Sequence, residues 1–189
     1  MRIETTNNTS GSTYGISDNS SSDFPTKEVW IKNCEVITKS SVQSDTKSMA
    51  VHGSYFKSAS DSKIFIEDCT FETEGCSAVS YGIESVGENF YSIKNTTILS
   101  TLKEGAYTGS GTPTVCGIKT TRGKDTYCEG LKISCYGLKA GCYTTPFELS
   151  SGLSLIKDVQ VTINGYDEYY FRSFQGGQCF VDNVVFEVS

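Results

Sequence analysis

The chain has 189 residues, 37% hydrophobic and 20% charged, enough to bury one substantial core, so a single domain over 1–189 is the expectation. A formal net charge of -6 with scattered Lys and Arg argues against nucleic acid as a partner, because phosphate binding needs clustered basic side chains. The polar opening MRIETTNNTS lacks the apolar core of a signal peptide, and no apolar run approaches membrane-spanning length, so membrane insertion is not expected.

Eighteen glycines, three prolines and many Ser, Thr, Tyr and Phe favour strands and turns over helices. In chain order, Arg2-Ile3-Glu4-Thr5 is followed by TYGIS from Thr13 and VWIKNCEVIT from Val29. VHGSY from Val51 then precedes IFIEDCTFET from Ile64, SYGIE from Ser80 precedes YSIKNTTILS from Tyr91, and VCGIK from Val115 precedes TYCEGLKISC from Thr126. Weaker copies of the glycine phrase near Tyr143 and Tyr170 lead into SLIKDVQVTI from Ser154 and CFVDNVVFEV from Cys179. Self-similarity at this period marks a solenoid.

Aligned, the six long segments form columns. The third position holds Ile31, Ile66, Ile93, Cys128, Ile156 and Val181, and the eighth holds Val36, Phe71, Ile98, Ile133, Val161 and Phe186. Both must face inward. The fifth holds Asn33, Asp68, Asn95, Gly130, Asp158 and Asn183, residue types that tolerate a left-handed backbone, so it is read as a corner. The fourth alternates in sign through Lys32, Glu67, Lys94, Glu129, Lys157 and Asp182, which makes sense if successive segments stack as parallel neighbours. By the same alignment Ile3 matches Val36, and Glu84 is expected to stack on Lys119.

These columns resemble the right-handed parallel β-helix of the pectin-lyase-like superfamily, and the "YGI…N" units resemble phage tail-spike, tail-fibre and bacterial surface proteins. The fold class implied is all-β, a right-handed parallel β-helix of about six coils. A start and an end at one phase of the repeat, with no capping helix, suggest either a segment of a longer β-helix or a chain that stacks end to end or trimerises. The resemblance further implies a virion tail or extracellular, cell-surface location and contact with cell-surface polysaccharide.

Catalytic residues are not assignable from the sequence. His52 is the only imidazole and reads as an ordinary strand residue, and no CxxC pair accompanies it, so neither metal nor cofactor is expected. A polysaccharide depolymerase, hydrolase or lyase, is the alternative function. Against it, Glu67, Glu84, Glu129 and Asp182 are expected to pair with lysines, Asp68 and Asp158 read as corner residues, the loop carboxylates read as solvated surface charge, and no Asp cluster resembles a calcium cage. Sugar contact is assigned to loop-end aromatics and neighbouring carboxylates, Tyr166, Asp167, Glu168 and Tyr169, with Tyr107 on the long loop Leu102–Thr114. The cysteines read as reduced thiols, with Cys34 and Cys69 stacked closely enough to oxidise.

Overall fold

The computed structural model describes residues 1–9, 11–18, 28–41, 50–57, 62–75, 78–103, 112–138, 141–150, 152–165, 168–169, 174–175 and 178–189. Within them the regular structure is all strand: β1 (Arg2–Asn7), β2 (Thr13–Asp18), β3 (Glu28–Lys32), β4 (Glu35–Ser40), β5 (Ala50–Lys57) and β6 (Lys63–Glu67). There follow β7 (Thr70–Gly75), β8 (Val79–Val86), β9 (Phe90–Lys94), β10 (Thr97–Leu102), β11 (Thr114–Thr121) and β12 (Thr126–Glu129). The last are β13 (Lys132–Gly137), β14 (Tyr143–Ser150), β15 (Leu153–Gly165), β16 (Glu168–Tyr169), β17 (Phe174–Gln175) and β18 (Gln178–Val188).

From β1 through β12, each strand pairs in parallel with the strand three positions further on, as in β1-β4-β7-β10-β13 and β2-β5-β8-β11-β14, while β13 also joins β15. Among the described residues the result is two parallel sheets, one of eleven strands and one of seven. This connectivity suits a solenoid, because each repeat touches only its neighbours. The backbone register joins Ile31, Ile66, Ile93, Cys128, Ile156 and Val181, the third-position column. It also joins Ile3, Val36, Phe71, Ile98, Ile133, Val161 and Phe186.

The corner column is left-handed throughout, with φ of 53° at Asn33, 54° at Asp68, 47° at Asn95, 67° at Gly130, 53° at Asp158 and 51° at Asn183. Their short amides bond along the stack: Asn95 Nδ2 donates to Asp68 Oδ1 at 3.2 Å, and Asn183 Nδ2 to Asp158 Oδ1 at 2.6 Å. Gly130 is the exception in chemistry because a Cβ there would lie 2.7 Å from Asn95 Oδ1.

The third- and eighth-position side chains are buried in one core from Ile31 to Val161. Val181, Phe186 and Val188 belong to the inward columns yet are exposed, since among the described residues no strand pairs with the far side of β18. The charge column forms ion pairs between Lys32 and Glu67 and between Lys94 and Glu129 at 3.5 Å. Lys157 instead approaches its neighbour Asp158 at 3.8 Å.

The glycine strands run against this core. A Cβ on Gly82 would collide with Ile98 Cγ2 and lie 2.7 Å from the Gly117 carbonyl oxygen. Gly82→Ala should therefore force the strand off the core, costing about 1–3 kcal/mol, whereas Gly123→Ala meets only ordinary contacts and should be near neutral. Paired denaturant titrations check this, and equal losses at both positions would contradict the close approach.

Candidate functional site

In the seven-stranded sheet the register skips each glycine: Tyr14 pairs with His52 and Ile16 with Ser54, and the same gap recurs through Gly82 and Gly117. Gly53 and Gly82 face core residues Phe71 and Ile98, and the following residues of β8, β11 and β14, Ile83, Ile118 and Phe147, are in the core as well. Two consecutive residues thus face inward. The strand bends at this point, which is why Pro146, lacking an N–H, is tolerated opposite Gly117.

The bend leaves the second and fifth residues of each phrase on the outer side. One column is Tyr14, His52, Tyr81, Cys116 and Thr145; the other is Ser17, Tyr55, Glu84, Lys119 and Glu148. Tyr81 and Cys116 form a small cluster with Ala50, Ala78 and Val79, separate from the main core. Despite facing outward, His52 is only 4% exposed and Glu84 8%.

Three tyrosines surround the imidazole. Tyr14 stacks on it at 4.8 Å between centroids, Tyr55 meets it edge-on at 5.1 Å, and Tyr81 lies tilted at 5.5 Å. His52 Nδ1 is 2.9 Å from Glu84 Oε2, a contact made without the alignment of a ring N–H hydrogen bond. Glu84 and Lys119 are backbone neighbours as expected, but the lysine turns elsewhere. Its ammonium donates to the Tyr81 hydroxyl at 3.2 Å, lies 4.9 Å above that ring, and approaches Glu148 Oε2 at 3.4 Å.

Burial pushes the Tyr81 phenol up to about 12, against the lowering influence of Lys119. Burial also pulls Lys119 down, but Tyr81, Glu148 and Glu84 together outweigh it and its pKa is raised. Near neutrality this leaves an ammonium between two carboxylate-bearing strands. By parallel-strand spacing the Glu84 and Glu148 backbones are about 9.6 Å apart.

The second outward feature lies on the long strands. Their second positions align Trp30, Phe65, Ser92, Tyr127, Leu155 and Phe180 beside the ion-pair column. Trp30, 54% exposed, stacks on Phe65 at 4.0 Å with planes 12° apart, and Phe65 meets Phe90 at 6.0 Å. Ser92 interrupts the rings, and a cavity of about 320 Å³ opens there, lined by Trp30, Lys32, Phe65, Glu67, Ser92 and Lys94 among others. Lys32 and Lys94 lie 4.8 and 5.1 Å over the Trp30 and Tyr127 rings. The Tyr127 hydroxyl donates to Glu129 Oε2 at 2.7 Å, and this bond holds the Glu129 carboxyl below its ordinary range.

Of the residues expected to touch sugar, Tyr107, Tyr166 and Asp167 lie outside the described residues. Glu168 and Tyr169 form β16, whose backbone pairs with Tyr143 and Thr144. The His52 cluster and the ring column were both missed as sites, although the signal was present in the second and fifth letters of the aligned phrases. Among the described residues, no three metal-ligating side chains converge. No family model, curated protein or solved structure matches the chain.

Because folding raises both the Tyr81 and Lys119 pKa values, the stability they supply is complete below about pH 10 and is lost as pH rises through the folded values. Ultraviolet titration of phenolate should show two tyrosines, Tyr81 and the buried Tyr91, still protonated at about pH 11, and Tyr81→Phe should remove one of them. Ionisation of Tyr81 alongside exposed tyrosines would contradict its burial against Lys119.

Proposed function

We propose that the chain is a right-handed parallel β-helix of about six coils that binds cell-surface glycan along the ring column of Trp30, Phe65 and Tyr127. The single observation carrying this reading is the exposed Trp30–Phe65 stack continuing, across the cavity at Ser92, to Tyr127, with charged hydrogen-bonding groups beside it. Flat rings cover the C–H faces of sugars, while Glu67 and Glu129 accept and Lys32 and Lys94 donate hydrogen bonds to hydroxyls. The cavity is at the small end of ligand sites.

Parallel strands set Phe65 and Tyr127 two steps apart, about 9.6 Å, roughly the length of two linked sugar units. The resemblance of the repeat supports a place in a phage tail spike or fibre, or on a bacterial surface, as a receptor-binding segment. A homotrimer or end-to-end stack belongs to the same proposal.

A second reading, polysaccharide hydrolysis, is favoured by one observation: Glu84 and Glu148 bracket Lys119 on neighbouring strands. Their backbones are about 9.6 Å apart, and side chains leaning toward each other across Lys119 could bring the carboxyls into the range of about 6.5–9.5 Å in which they act across a glycosidic bond with a water between them.

Both readings are tested by incubating the protein with a panel of bacterial capsular and plant polysaccharides, following retention and the appearance of new reducing ends. Trp30→Ala and Tyr127→Ala should each weaken retention about tenfold, a loss of roughly 1.4 kcal/mol. Retention that ignores both substitutions moves the binding surface elsewhere. New chain ends that vanish in Glu84→Gln and Glu148→Gln favour hydrolysis; retention without them favours recognition alone.

A further inference from the structure

Seven cysteines fall among the described residues, none bridged to another, and their surroundings differ. Cys116, Cys128, Cys135 and Cys142 are fully buried, and Cys128 is pushed up to about 12 by burial. Cys179 is partly exposed but stands opposite Ser154. Cys34 and Cys69 are different, because they occupy the same position of adjacent repeats.

The register on both sides fixes that relation: Lys32 pairs with Glu67 before them and Glu35 with Thr70 after them. The Thr70 N–H donates to the Cys34 carbonyl at 2.8 Å, and the Asn33 N–H to the Glu67 carbonyl at 3.1 Å. Neighbouring parallel strands lie about 4.8 Å apart, inside the Cα separation of about 4.4–6.8 Å that a disulfide spans. Both thiols turn the same way, Cys34 Sγ donating to the Lys32 carbonyl and Cys69 Sγ to the Glu67 carbonyl, each at 3.1 Å. Cys69 Sγ also reaches the Ile31 carbonyl at 3.5 Å, so it leans toward the repeat that carries Cys34.

Access is asymmetric. Cys69 is 3% exposed, whereas Cys34 is half-buried and lines an open cavity of about 490 Å³ with Arg2, Asn33, Glu35, Asp68 and Thr70. Below the pair the column continues through Thr96, Leu131 and Val159 without another sulfur.

We propose that Cys34 and Cys69 are a reversible dithiol–disulfide site that staples the first two repeats, with Cys34 the attacking and Cys69 the resolving sulfur. The oxidant is a small-molecule disulfide of the glutathione type. The Cys34 thiolate attacks one of its sulfurs, forming a mixed disulfide and releasing one small thiolate. The Cys69 sulfur, giving up its proton, then attacks Cys34 Sγ and expels the second small thiolate. Two protein thiols are oxidised to one S–S bond, the small disulfide is reduced to two thiols, and the two protons lost by the protein are taken up by the departing thiolates. This site is independent of the glycan reading.

The test treats the full folded chain with oxidised glutathione, quenches by alkylation and maps the peptides by mass. The expected result is one Cys34–Cys69 bridge, no retained glutathione, and a higher thermal midpoint that a reductant reverses. Cys69→Ser should stop at one glutathione on Cys34, and Cys34→Ser should leave Cys69 unmodified while the protein is folded. A stable adduct on Cys34 in the wild-type chain, a bridge to any other cysteine, or no reaction would each overturn the proposal.

Discussion

A straight strand alternates its side chains with period two, so residues three and eight of one segment would face opposite ways. The left-handed residue at position five removes that conflict by turning the chain once, so that Ile66 before the bend and Phe71 after it share a core. L-residues adopt this conformation at a cost that Asn, Asp and Gly minimise, and those three fill all six places. The rest of the structure depends on this corner recurring at one phase. Only then do β15 and β18 run through it as continuous strands and keep every neighbour in register.

A second bend, at the glycine phrase, has the reverse consequence. By turning two successive residues inward it brings the second and fifth columns together on the outside. His52 thereby meets Glu84, and Tyr81 meets Lys119, although two letters of sequence separate the columns within each phrase. Partly buried charge is expensive unless it is paired, and here the Lys119 ammonium has Glu148 across a neighbouring strand. A core made only for stability has no need of such a cluster on its outer wall, whereas a surface that positions charge on a rigid frame does.

Legibility in the sequence followed periodicity. The third, fifth and eighth columns repeat one chemistry six times, so Ile31, Asn33 and Val36 and their equivalents could be assigned to core and corner from residue types alone. The glycine phrase could be aligned for the same reason. What it conceals is the bend, because a glycine reports close approach without reporting direction, and His52 therefore reads as an ordinary strand residue. The ring column was hidden by its own variation: Ser92 and Leu155 interrupt Trp30, Phe65, Tyr127 and Phe180, so no single property runs down it. Aromatic stretches such as Tyr166-Asp167-Glu168-Tyr169 stand out instead, where sequence offers composition but no register.

Under the proposed glycan reading, the alternating column has a further consequence. Its ion pairs are solvent-exposed, and such pairs contribute little to stability. Their alternation matters more for what the adjacent rings can accept. A ligand lying along the ridge meets an ammonium, then a carboxylate, then an ammonium, one parallel-strand step apart. A uniformly anionic polymer would gain at each lysine and lose at each glutamate, while a neutral sugar, whose hydroxyls both donate and accept, satisfies both. On the proposed glycan reading, this alternation would bias the ridge toward uncharged polyhydroxylated chains.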